Sequence, residues 1–228
     1  MITNLFSTFD PATSIRYSLN WTRSFIIIIL IPIPYWIIPN RSIILLNKTI
    51  IKLHSEFKLL IRPKSSGITL IIVSIFLFIL FNNIIGLMPY IFTRSSHITF
   101  SLTIALPLWL RTLLFGWFKN TNYMFAHLVP SGTPAALIPF IVIIETIRNV
   151  IRPGRLAVRL TANIIAGHLL IRLLGNKTVE SRNLVIILLI SIQIGLIIFE
   201  AAVAVIQAYV FSVLITLYSR EVINYENK

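Results

Sequence analysis

The chain has no cysteine, and of its 228 residues only seven are acidic against 20 basic. The first absence excludes disulfides and cysteine-ligated metals and says nothing further about compartment. Glycine is scarce too, eight residues scattered singly, which argues against a glycine-rich phosphate loop. Charged residues of both signs make up 12% of the chain, about half the usual share, while 57% is hydrophobic. A soluble fold has no interior large enough to hide that surface. Apolar runs long enough to cross a hydrocarbon core of roughly 30 Å recur along the whole length. The sequence therefore predicts one all-α integral membrane domain spanning 1–228. No basic n-region with a short apolar core and a small-residue cleavage site opens the chain, so Met1 to Asp10 reads as a mature start.

The formal charge of +13 would suggest nucleic acid in a soluble protein. Here no basic patch interleaved with aromatics occupies a water-facing surface, and nucleic acid is not an expected partner. Lys and Arg instead gather in loops, as they do on the side of a membrane from which a protein is inserted.

Five crossings and one amphipathic surface helix are expected. Residues 19–38 form the first span, punctuated by Pro32 and Pro34, with Pro39 just beyond. Over 43–61, Leu46, Ile50, Leu53, Phe57 and Leu60 recur at helical spacing while Lys48, Lys52, Ser55 and Lys58 fill the other side. That pattern predicts a helix lying in the membrane surface. Spans follow at 68–92, broken by Asn82, Asn83 and Gly86, and at 98–118, which carries Pro107 and Arg111. Two longer tracts, 134–175 and 184–218, are separated by a short polar turn. At 1.5 Å per residue the last would extend roughly 50 Å, well beyond the ~30 Å core. A straight helix of that length tilts by about 50° from the membrane normal. Pro153 and Gly154 supply a bend in the other. The pair is expected to form a long, steeply tilted hairpin. The segment 40–67 holds six basic residues, which puts it on the insertion side, the C-terminus with it and the N-terminus opposite.

Ionisable residues at membrane depth are costly and face a protein interior or a water-filled cavity. At 100° per residue, Glu145, Arg152 and Arg159 recur at sevens within about 40° of one another, joined by Asn163. His168 points to the opposite face. In the last tract Gln193, Glu200 and Gln207 also recur at sevens, among Gly195, Ala201, Ala202, Ala204 and Ala208, which permit close helix approach. Gln193 and Gln207 equally suit plain interhelical hydrogen bonds, and His168 a packing role. Arg159 is hardest to set aside, because a guanidinium stays protonated and needs an anion or water beside it. No nucleophile triad, carboxylate pair or metal-spaced histidine cluster is present, and no cofactor is expected. A fixed cation, titratable His and Glu, and amides suit proton conduction. A secondary transporter using the same polar stripes is the alternative, which inverted repeats would favour; none is visible.

At Leu156-Ala-Val-Arg159-Leu-Thr-Ala-Asn163-Ile-Ile-Ala-Gly-His168 the sequence resembles the signature of subunit a of F-type ATP synthases, animal mitochondrial type. Further agreement lies in Asn4-Leu-Phe-Ser-Thr-Phe-Asp10-Pro, Phe81-Asn-Asn-Ile-Ile-Gly-Leu-Met-Pro89-Tyr, Ala126-His-Leu-Val-Pro130, Gly132-Thr-Pro and Gln207-Ala-Tyr-Val-Phe211. The resemblance implies a stator in the mitochondrial inner membrane beside a rotating ring of c subunits, with peripheral-stalk subunits as further partners. It implies that Arg159 is the essential arginine facing the ring, separating two half-channels. His168 and Glu200 would line the path from the intermembrane space and Glu145 the path to the matrix. Asn163, Gln207 and Gln193 would support them. ATP chemistry would lie in other subunits. Arg94, Arg148 and Arg220 stand where animal relatives commonly carry serine, and Ile164 where methionine is common. These departures are the pattern left when AGA is read as Arg and AUA as Ile in a mitochondrial sequence.

Overall fold

The computed structural model describes residues 9–12, 19–22, 39–61, 66–88, 91–119, 121–129, 134, 137–180 and 183–224. Among them all regular structure is helical: α1 (Arg41–Ile61), α2 (Ser66–Gly86), α3 (Ile98–Lys119), α4 (Thr121–His127), α5 (Ile138–Glu180) and α6 (Asn183–Asn224), with 3-10 turns at Leu19–Thr22 and Arg94–Ser96. Four of these helices, α2, α3, α5 and α6, are long and apolar enough to cross a membrane. Of the expected first span only Leu19–Thr22 is described, and residues 23–38 lie outside the described residues.

The helix ends follow local chemistry. α2 stops at Gly86, six residues before the expected end at 92, where a turn closes with Leu87 and Met88 donating back to Ile84 and Ile85. The following Pro89 has no N–H to carry the helix on. The segment after α3, read from sequence as a polar break, contains the short helix α4. α5 continues without interruption through Pro153, and α3 through Pro107. A membrane helix tolerates the lost hydrogen bond where neighbouring groups satisfy the freed carbonyl.

α6 is the central element, packing against α1, α2, α3 and α5. The core where they meet includes Phe57 and Ile61 of α1, Phe76 and Ile79 of α2, Leu156 and Leu160 of α5, and Phe211 and Ile215 of α6. On α1 the apolar stripe faces α2 and α6: Phe57 is fully buried and Ile50, Leu53 and Leu60 pack beside it. Protein therefore covers the part of the stripe around Phe57, while Ile44, Leu45, Ile51 and Leu59 are left exposed on the other flank. The turn Arg94–Ser96 sits against α2, α3 and α5. There Arg94 is 5% exposed, and desolvation lowers its guanidinium to a pKa of about 10. Arg148 and Arg220 are exposed.

Candidate functional site

Most polar side chains on the long helices are satisfied by their own helix. The hydroxyls of Ser74, Thr103, Thr112, Thr146, Thr161, Ser191, Ser212, Thr216 and Ser219 each donate to a carbonyl three or four residues earlier. Such back-bonding lets a hydroxyl sit in an apolar medium with no tertiary partner. Longer or charged side chains that lack such a local bond must be met by tertiary neighbours. Their positions are therefore the informative ones.

Asn163, His168, Glu200 and Gln207 line one cleft between α5 and α6, together with Asn83 from α2 and the apolar Leu87, Ile164, Val203 and Ala204. Asn163 Nδ2 donates to Gln207 Oε1 at 3.1 Å. A membrane interhelical hydrogen bond contributes only about 0.6 kcal/mol, small beside the apolar core, so this contact orients side chains more than it holds helices together. One helical turn further along α5, His168 Nε2 lies 3.8 Å from Glu200 Oε1. That is too long for a hydrogen bond but close enough for an ion pair when the imidazole is protonated. Phe9 packs edge-on to the His168 ring at 6.4 Å, with the Arg172 guanidinium 5.2 Å from the centroid of the Phe9 ring.

Glu200 is 7% exposed, and neither carboxylate oxygen has a hydrogen-bond partner among the described residues. Its side chain lies over Gly167, where a Cβ would meet Glu200 Oε1 and approach Cγ to 3.0 Å. The missing side chain of Gly167 is thus what lets the carboxyl reach His168.

Arg159 stands apart from the cleft. It is exposed on the outer side of α5 and forms no ion pair among the described residues. Ala162 and Ala166, also exposed, keep that face low. The remaining sequence-predicted residues are not in the cleft either. Glu145 pairs with Arg148 at 2.9 Å on the same helix, Arg152 lies 4.9 Å from the Tyr218 ring centroid, and Gln193 lies opposite Gly175 toward the start of α6. Sequence reasoning assigned no role to Asn83 or Gly167. For Gly167 the one signal was a helical glycine beside an intramembrane histidine; for Asn83 it was an amide breaking an apolar span.

The long apolar helices and the enclosed acid and histidine define a multi-span helical membrane protein that carries titratable groups in its interior. Residues 15–220 match the family model described as ATP synthase A chain. The chain is similar to ATP synthase subunit a of Anopheles gambiae, 56% identical over 225 residues, of Locusta migratoria, 58% over 224, and of Drosophila melanogaster, 55% over 223. Each comparison covers 97% of this chain and 100% of the relative. The chain belongs to the ATP synthase subunit a family, the membrane-sector subunit of F-type ATP synthases.

Proposed function

We propose that the chain is the proton-conducting stator of a rotary F-type ATP synthase in the mitochondrial inner membrane, crossing it five times, with α5 and α6 as a steeply tilted hairpin. The observation that carries the reading is Arg159, a permanent cation on an outward face with no anion of its own among the described residues. A charge at the centre of a membrane helix costs about 2.5–3.5 kcal/mol on insertion scales. An opposite charge at ~4 Å returns about 4 kcal/mol at an effective dielectric of ~20. The two are comparable, so an anion on a neighbouring molecule offsets the cost. A c-ring carboxylate is that anion. Arg159 favours its deprotonated form and repels free protons, which separates the two half-channels.

His168 and Glu200 take protons from the intermembrane side, and the Asn163 to Gln207 bond orients the amides of the cleft, Asn163 lying one helical turn along α5 from Arg159. Glu145 serves the path to the matrix, and Gln193 is an outlying polar support. Each proton crossing 100 mV of potential releases about 2.3 kcal/mol, which ring rotation carries to catalytic subunits elsewhere. The N-terminus faces the intermembrane space and the C-terminus the matrix.

The test is Arg159→Ala in the complete complex, reconstituted in vesicles. Proton-driven ATP synthesis is expected to fall to background with assembly retained; synthesis at the unmodified rate refutes the reading.

A further inference from the structure

The second long helix contributes a polar side chain that the proton path above does not use. Asn83 lies in the last turn of α2 and is 3% exposed. Its neighbour decides which way the amide faces: Nδ2 donates to the backbone carbonyl of Ala204 at 3.5 Å. A reversed amide would set two acceptor oxygens against each other. Oδ1 is therefore the free end, and it is buried with no hydrogen bond among the described residues. Asn83 lines the same cleft as Glu200, whose two carboxylate oxygens are also buried and without a donor. In the same cleft Asn163 directs its Nδ2 to Gln207 instead.

Three acceptor atoms thus belong to side chains lining one cleft. Each buried acceptor left unmade costs about 1–3 kcal/mol, so together they call for a donor that no described residue supplies. Water fits, being small and carrying two donors. We propose that Asn83 is a positioning residue of the proton path, its Oδ1 accepting one hydrogen of a water molecule whose other hydrogen is donated to Glu200. The proposal rests on the proton-path reading. When Glu200 takes that proton, the O–H bond of the water breaks as the carboxyl O–H forms, and the water regains a proton from the next water toward the aqueous side. Among the described residues, the titratable and charged groups around this water are Glu200 on α6 and His168 on α5, with Arg172 one turn beyond His168.

A merely structural Asn83 would act through its bond to Ala204 alone, and the two roles separate in substitution. Asn83→Leu removes both ends of the amide. Asn83→Asp keeps the acceptor, loses the tie to Ala204 and adds a titrating group. Passive proton conduction through the assembled membrane sector, freed of its catalytic head, is measured against pH. Asn83→Leu is expected to conduct at least about tenfold more slowly, while Asn83→Asp conducts at a rate closer to the unmodified chain with a displaced pH profile. Unmodified conduction in Asn83→Leu overturns the proposal. So does an Asn83→Asp variant as slow as Asn83→Leu with an undisplaced profile. Glu200→Gln is the control. If it conducts normally the proton-path reading fails; if it blocks conduction while Asn83→Leu does not, only the role of Asn83 fails. Should the variants not assemble, a density map of the unmodified complex sharp enough to show water decides the matter. A peak within hydrogen-bond distance of both Asn83 Oδ1 and a Glu200 carboxylate oxygen is expected, and its absence overturns the proposal.

Discussion

At Gly167 a hydrogen stands where any other residue would place a carbon against the Glu200 carboxyl. In Gly167→Ala the new methyl displaces Glu200 and lengthens its 3.8 Å approach to His168. Proton-driven ATP synthesis should then fall by about tenfold or more, equivalent to about 1.4 kcal/mol, with the complex still assembled. Shortening the acid in the same chain, Gly167→Ala with Glu200→Asp, should recover part of the rate. Full activity in the single variant would show that the close approach is irrelevant to proton transfer. The approach of Glu200 to His168 was expected only through the family resemblance, the residues alone giving a carboxylate and an imidazole on two neighbouring tracts. The glycine between them was not, because its contribution is vacant volume and a one-letter sequence does not show what lies opposite.

Among the elements, α1 shows how one pattern serves two surfaces. Its stripe of Leu46, Ile50, Leu53, Phe57 and Leu60 was readable as an apolar face, and an apolar face is equally content against lipid or protein. Only packing shows that Phe57, with Ile50, Leu53 and Leu60 beside it, meets the core that α2 and α6 share. Lys48 and Lys52 remain exposed on the flank away from the core. Because the chain has no native cysteine, a single Lys52→Cys variant reports on that flank alone. A membrane-impermeant maleimide should label it in inverted inner-membrane vesicles, where the matrix side faces out. Labelling confined to right-side-out membranes would reverse the proposed orientation. The central place of α6 was legible only as length and apolarity; its contacts with four other helices depend on where α1 and α2 fold back.

Over the whole molecule, His168, which approaches Glu200 of α6, and the outward Arg159 lie on different sides of α5. Ala162, one turn beyond Arg159, lies on the same exposed face, so the proposed function requires a ring subunit to approach there closely. A cysteine introduced by Ala162→Cys should form an oxidative cross-link with one placed on the outer helix of a ring subunit. An assembled, active complex in which that cross-link never forms would remove this face as the ring contact. Composition and apolar run length by themselves determined that the chain is helical and built for a membrane, because no other fold hides so much apolar surface and satisfies the backbone within each segment. The run around Arg159 determined the family resemblance. Tertiary structure alone decided that Asn83, Asn163, His168, Glu200 and Gln207 share a cleft while Arg159 faces out. The reason is geometric: helical periodicity places a side chain on a face of its own helix, and only the packing of one helix on another determines what that face meets.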